Sequence, residues 1–338
     1  MKLKFTSIAI VAFFSLFFSF LAFEDTEVVS VKDRQLQMNE TPYFIKGVCY
    51  NPVKKGSVER DFTNIDQDLA LMNEAGVNTI RVYKPIDDIA VLDKIAAAGI
   101  KVITNFGYNQ DGYFDLITGS YLDYVKRYKD HKAMLLWELG NEYNLHPEWF
   151  DGDLKNWYTS VQNAADAIHQ NDPNHPVATA HGELPDSAAL AVATNIDLWG
   201  LNVYRWDNPE AIFKQWSLIS DKPMYLSEAG SDSYMTVANH GFDLGENQEA
   251  QAQALTNILN DVMEHKEMNT GVLVFSFTDE LWKAGNPERQ DVGGWAPASS
   301  GVPYDGTANE EYWGVLDVNR NKKQAFHVLK EFYNNLED

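Results

Sequence analysis

Eight short apolar runs alternate with helical patterns along most of this chain, and that alternation leaves few folds open. The runs are Tyr43–Tyr50, Val77–Tyr83, Ile100–Gly107, Ala133–Leu139, Pro176–Ala180, Ile196–Tyr204, Pro223–Glu228 and Gly271–Thr278. Each is mostly apolar rather than alternating, as parallel strands buried on both faces require. Between them, Thr63 and Asp66 predict a helix start. Ile65, Leu69 and Met72 then share a face, and Gly76 ends the helix. Asp88 to Ala98, closed by Gly99, repeats the pattern, and Leu255, Ile258, Leu259 and Val262 recur at helical spacing. A last helix over Lys322–Leu336 carries Ala325, Val328, Leu329 and Phe332 on one face. Eight βα units predict an α/β fold, a single (β/α)8 TIM barrel. A doubly wound sheet is the runner-up, but no glycine-rich phosphate loop follows any strand.

The amino terminus reads as a targeting segment. Lys2 and Lys4 precede an apolar run from Ile8 to Phe23, the charged and hydrophobic regions of a secretory signal. Removal after Ala22 is expected, although Phe20 is bulky two positions before that site, and an uncleaved anchor is the alternative. No Cys follows the run, which argues against a bacterial lipid anchor. The division is thus 1–22 signal peptide and 24–338 catalytic barrel, with 24–42 leading into the barrel and no linker or second domain. Secretion or periplasmic export follows. Cys49 is the single cysteine, so no intrachain disulfide forms, and it reads as a small core residue.

Acidic residues number 49 against 27 basic, a net charge of −22. Nucleic acid is excluded as a partner, since phosphate binding needs a basic face. An anionic membrane surface or an acidic polysaccharide is disfavoured for the same reason, and a membrane enters only if the amino-terminal segment is kept as an anchor. A neutral carbohydrate suits this balance.

Two carboxylates sit at strand ends. Trp137-Glu138-Leu139-Gly140-Asn141-Glu142 closes the fourth run and Tyr225-Leu226-Ser227-Glu228 the seventh. In a barrel those ends share one mouth. A Glu pair there suits glycoside cleavage, one protonating the leaving oxygen and the other attacking the anomeric carbon. Retention requires roughly 5–5.5 Å between the two carboxyl groups. Asn141 is positioned to hydrogen-bond a sugar 2-hydroxyl. Arg81 and Tyr204, ending the second and sixth runs, would hold Glu228 ionised and leave Glu142 the better acid.

These motifs resemble clan A glycoside hydrolases. Asn141-Glu142 after an apolar strand and Glu228 ending the seventh fit that clan. Phe44-Ile45-Lys46-Gly47-Val48-Cys49-Tyr50-Asn51-Pro52 and Asn202-Val203-Tyr204-Arg205-Trp206 look like the first and sixth barrel strands of glycoside hydrolase family 2 catalytic domains. The resemblance spans about residues 43–336. It implies a retaining mechanism with Glu142 as acid/base, Glu228 as nucleophile, and Arg81, Asn141 and Tyr204 in support. Family 2 enzymes carry β-sandwich domains before the barrel, and 24–42 are too few for one. The chain is in that respect nearer to cellulase-like or β-1,3-glucan-active members.

Other residues weigh structure against function. Glu138, inside the strand, reads as a paired core carboxylate, and Arg81 is its alternative partner. Glu183 reads as a solvated loop residue. The long connection Asp279–Asn321 is expected to cover the site. Its Asp279, Trp282 and Lys283 are substrate-binding candidates, since indoles stack on sugar rings and polar groups take hydroxyls. Tyr108, His181, Asn202 and Trp206, near strand ends three, five and six, complete the set. Trp313 and Tyr312 read instead as loop packing, with Trp295 undecided. No His-x-x-x-His pair or calcium-type loop predicts a metal, and the chemistry calls for no cofactor. Asn39-Glu40-Thr41 matches a glycosylation acceptor. The predicted activity is a secreted retaining glycosidase for neutral β-glucan or β-mannan chains. A transglycosylase with the same two Glu residues, or a non-catalytic glycan-binding barrel, is the alternative.

Overall fold

The structure, a computed structural model, describes residues 27–110, 113–206, 210–295 and 304–336. The expected signal segment lies outside the described residues. Eight parallel strands close into a barrel: β1 (Ile45–Cys49), β2 (Thr79–Val82), β3 (Lys101–Phe106), β4 (Met134–Asn141), β5 (Val177–Gly182), β6 (Leu198–Asn202), β7 (Met224–Ala229) and β8 (Gly271–Val274). Each pairs with its sequence neighbours, and β8 pairs with β1. Closure settles the choice against a doubly wound sheet. All eight runs supply the strands expected of them, because nearly every position faces either the barrel interior or the helices.

Among the described residues, eight α-helices follow the strands: α1 (Ile65–Ala75), α2 (Ile89–Ala97), α3 (Tyr121–Tyr128), α4 (Leu154–Asn171), α5 (Ser187–Val192), α6 (Glu210–Ile219), α7 (Gln248–Glu264) and α8 (Gln324–Asn335). Ile65, Leu69 and Met72 are buried as their spacing predicts. Gly76 closes α1 at φ 77°, a left-handed turn that suits glycine. The start differs from expectation: Asn64 takes the cap position and Thr63 instead donates to Asp61. In α8 the buried face is Ala325, Phe326, Leu329 and Tyr333, with Val328 and Phe332 at its edge. Tyr333 turns inward because its hydroxyl donates to the Gly47 carbonyl at 2.9 Å.

Residues 29–42 do more than lead into the barrel. They form a three-stranded antiparallel sheet of Val29–Lys32, Gln35–Met38 and Thr41–Pro42. Asp33 and Arg34 turn the first hairpin with positive φ. The sheet lies across the barrel's amino-terminal end. Val29 N donates to the Asn174 carbonyl, Arg34 to that of Ser220 and Gln35 to that of Lys266, all in segments that precede strands. Val29 and Leu36 join Ile45, Ile103, Leu198 and Leu273 in one interior cluster. That end is therefore sealed, and the carboxyl-terminal mouth stays open.

The chain after β8 is tied back to α1. Arg320 bonds Asp68 at 2.9 and 3.1 Å, and the Tyr50 hydroxyl donates to the same carboxylate at 2.8 Å. Asp68 is fully buried. Asp68→Ala strands the guanidinium, so unfolding stability should fall by about 3–5 kcal/mol. Urea denaturation at neutral pH measures this, and a loss below about 1 kcal/mol would show that the pair is worth no more than an exposed one.

Candidate active site

Both strand ends that carry the carboxylates are irregular. β4 shifts register against β5 between Leu139 and Asn141, with Gly140 at φ 71°. A Cβ on Gly140 would lie 2.4 Å from the Trp157 ring, so only glycine fits this bend. Glu142 follows at φ 55°, its N–H on the Ala180 carbonyl at 3.0 Å. β7 shifts register against β6 between Leu226 and Glu228. These bulges turn Asn141, Glu142 and Glu228 into a cavity of about 870 Å³ at the mouth.

Glu228 is buried and accepts three hydrogen bonds. Arg81 Nη1 donates at 2.8 Å and the Tyr83 hydroxyl at 2.7 Å, both to Oε1, and the Tyr204 hydroxyl donates to Oε2 at 2.5 Å. Two phenols and a guanidinium suit an anion. Arg81 also reaches Glu138 through Nε at 2.7 Å and Asn141 through Nη2 at 2.7 Å. Asn202 Nδ2 donates to Asn141 at 3.1 Å, and Ser227 fixes Asn202 in turn at 2.7 Å. Arg81, Asn141, Tyr204 and Asn202 thus converge on the two Glu residues, and Arg81 serves both the partners weighed for it.

Among the described residues, no cation is bonded to Glu142. Burial, then the charge of Glu228, raises its pKa to about 7, against a hydrogen bond from Asn202 that works the other way. It is a carboxyl able to hold a proton near neutral pH beside a neighbour built to be an anion.

Trp282 and Lys283 line the cavity as expected, and Trp313 lines it too, standing edge-on to Tyr204 at 5.0 Å. Lys283 bonds Glu310 at 2.9 Å and Glu280 at 3.2 Å. Burial opposes its charge, but the two acids outweigh that and keep it protonated. Four candidates are not brought to the cavity. Asp279 is buried against Lys323 at 3.0 Å and caps the Gly314 N–H, holding the long loop down. His181 stacks on Tyr158 and faces the Gly182 and Glu183 carbonyls. Tyr108 packs edge-on to Phe150 and Trp157, and the Trp206 ring lies 3.8 Å from that of Tyr304. Glu183 reaches the cavity wall but is paired with Arg205 at 2.6 Å.

Tyr83, Asn51, Glu280 and Glu310 were not singled out from sequence, yet all four line the cavity. Tyr83 had a signal: it stands two residues after Arg81, so a strand directs both side chains to the same face.

Neither a protein-family model nor a curated protein sequence matches the chain. Solved structures do. A glycoside hydrolase family 2 β-galacturonidase from Eisenbergiella tayi bound to galacturonate superposes with a TM-score of 0.68 at 19% identity, over 92% of this chain and 54% of that one. A β-D-glucuronidase from Dictyoglomus thermophilum gives 0.66 at 20% identity, over 92% and 54%. Bacteroides uniformis β-glucuronidase 2, covalently bound to cyclophellitol-6-carboxylate aziridine, gives 0.71 at 17% identity, over 91% and 37%. The chain shares the barrel fold of these enzymes and spans about half or less of their length.

The raised Glu142 carboxyl has a stability consequence. A group whose folded pKa lies above its unfolded value of 4.5 destabilises the fold as pH rises through about 7. Glu142→Gln should therefore be more stable than the natural protein above pH 7 by up to about 3 kcal/mol, the gap closing toward pH 4.5. Denaturation at several pH values checks this; equal stability at high pH would show that Glu142 ionises freely.

Proposed function

We propose that this protein is a retaining β-glycosidase, with Glu228 as nucleophile and Glu142 as acid/base. The observation that carries the reading is the unequal company of the two carboxylates. Three donors converge on Glu228, while Glu142 is half-buried beside it with no cation bonded to it among the described residues. In the first step a Glu228 oxygen bonds the anomeric carbon as the glycosidic C–O bond breaks. The electron pair leaves with the departing oxygen, which takes the proton of Glu142. Water, deprotonated by Glu142, then displaces Glu228. The covalent adduct of the Bacteroides uniformis relative supports a nucleophilic mechanism on this fold.

The proposed substrate is a neutral β-linked glycan of the glucan or mannan type, met outside the cell after export by residues 1–22. The named relatives are uronidases, but the charge here favours a neutral sugar. Glu59, Glu142, Glu183, Glu228, Glu280 and Glu310 line the cavity against Arg60, Lys84 and Lys283. Two acids already engage Lys283, and Arg60 donates to the Lys84 and Pro85 carbonyls. A uronate carboxylate entering this cavity meets repulsion from the acids and finds Lys283 and Arg60 already engaged, which leaves the exposed Lys84 as the lining cation open to it. Trp282 and Trp313 offer apolar surface for sugar rings.

A panel of aryl β-glycosides and β-glucans, mannans and xylans tests this. Turnover should fall as pH rises through about 7, where Glu142 loses its proton. Neutral glycosides should exceed the matching β-glucuronide at least about tenfold in kcat/KM, a difference of about 1.4 kcal/mol; the reverse order would overturn the neutral class but not the mechanism. The first product should keep the β configuration by NMR, and an α product would sink double displacement. Products longer than the starting oligosaccharide would assign transfer in place of hydrolysis.

Glu142→Ala should form the glycosyl-enzyme from a substrate with an activated leaving group and stall in its hydrolysis, with azide restoring turnover as a β-glycosyl azide. Glu228→Ala should lose the first step by about three orders of magnitude or more, and azide should give at most an α product. The opposite pattern would reverse the two roles.

A further inference from the structure

Glu138 lies four residues before Glu142 inside β4, fully buried, and the chemistry proposed above makes no use of it. It accepts from Arg81 Nε at 2.7 Å, Asn105 Nδ2 at 2.7 Å and the Tyr225 hydroxyl at 2.5 Å. Arg81, also fully buried, directs its other two nitrogens to Glu228 and Asn141. One guanidinium is thus shared between two buried carboxylates. A barrel built only to stabilise Glu228 would need no second acid; an amide at 138 would keep the shape and leave a simple ion pair.

We infer that Glu138 is a positioning residue that holds Arg81 as its counter-ion, aligning the guanidinium on Glu228 while keeping it from neutralising that carboxylate outright. Its kinetic consequence rests on the double displacement proposed above. When Glu228 bonds the anomeric carbon it becomes a neutral ester, and Arg81 loses a charged partner in a buried site. Glu138 keeps the cation paired through that step, so the ester forms without stranding a buried charge. In the free protein the shared guanidinium leaves Glu228 more of its nucleophilicity, and leaves Glu142 facing more of its repulsion.

Several titratable groups face this trio. Cys49 comes from β1, Tyr83 follows β2, Glu142 follows β4, Tyr204 follows β6, Tyr225 lies in β7 and Lys283 follows β8. Burial pushes the Cys49 thiol up to about 12 and the three phenols well above their usual range, so these four stay neutral. Lys283 stays protonated, which leaves Glu142 as the reporter.

The test is carboxyl 13C NMR of the full protein, with the Glu142 signal assigned by its loss in Glu142→Gln. Glu138→Gln should lower the Glu142 midpoint by about threefold or more in ionisation constant, since Arg81 then acts on the site undivided. It should also cut kcat/KM for an activated aryl glycoside by about tenfold, with Glu138→Asp recovering part of the loss. An unchanged midpoint in folded Glu138→Gln would overturn the inference, because a core-filling role would not move it. If that variant fails to fold, Tyr225→Phe decides. It keeps every charge but removes a donor from Glu138, which tightens Glu138 on Arg81 and should raise the midpoint; no change, or a fall, would overturn the inference. A midpoint that moves as expected in a protein that turns over no glycoside would sink the proposed function and leave this relation standing.

Discussion

Arg81 sits inside the barrel with no exposed surface and binds three acceptors at once: Glu138, Asn141 and Glu228. Each is reached by a different nitrogen of one planar group, which a lysine ammonium could not do in that geometry. The arrangement ties three strands together at their carboxyl ends, β2 through Arg81, β4 through Glu138 and Asn141, and β7 through Glu228. It also decides the protonation logic of the mouth. Charge on Glu228 is supported by Arg81 and two phenols, and the same charge then pushes the proton onto Glu142. An acid and an anion stand side by side because one cation is bonded to only one of them.

Much of this was legible in the sequence, and the parts that were not share a cause. The eight strands were readable because burial on both faces forces continuous apolar runs, a signal local to each segment. The two Glu residues and Arg81 were readable because strand ends of a closed barrel converge whatever the loops do. The sheet of residues 29–42 was missed: its strands are four, four and two residues long, and only its docking on the barrel end gives it a reason to form. Tyr108, His181, Trp206 and Asp279 were placed in the site by proximity to strand ends. Loop backbone turned Tyr108, Trp206 and Asp279 elsewhere, onto an aromatic cluster, Tyr304 and Lys323, while His181, still within β5, faces the Tyr158 phenol. In the other direction, the Glu280–Lys283–Glu310 cluster depends on two distant parts of one long loop meeting, which no local pattern encodes.

The comparison with uronidases separates fold from site. At 17 to 20% identity the barrel superposes over more than nine-tenths of this chain, so the backbone frame is shared. Frame alone does not choose a sugar. Choice lies with side chains on the mouth loops, and here acids outnumber bases along the cavity, with Lys283 held between two carboxylates. The net charge of −22 carries the same sign beyond the cavity, and this supports the neutral substrate proposed above.

Gathering Glu138, Glu228 and Arg81 in one barrel works against folding, since buried ions lose hydration that their mutual attraction only partly returns. The barrel tolerates this because its two ends do different work. Toward the amino-terminal end the interior is filled by Ile45, Ile103, Leu198 and Leu273 and closed by Val29 and Leu36 from the small sheet. Helices pack a second, larger apolar layer around the outside. Apolar burial at roughly 25 cal/mol per Å² accumulates there without regard to what the mouth contains. The mouth is then free to hold charges in an arrangement that no stability argument would select. Bulges at Gly140 and near Ser227 let it do so without disturbing the ladders below, since each change of register falls at the last residues of its strand, where pairing is about to end. A strained left-handed Glu142, a half-shared guanidinium and a carboxyl protonated near neutral pH are therefore features of one end only, and they depend on the apolar end to hold the frame that aligns them.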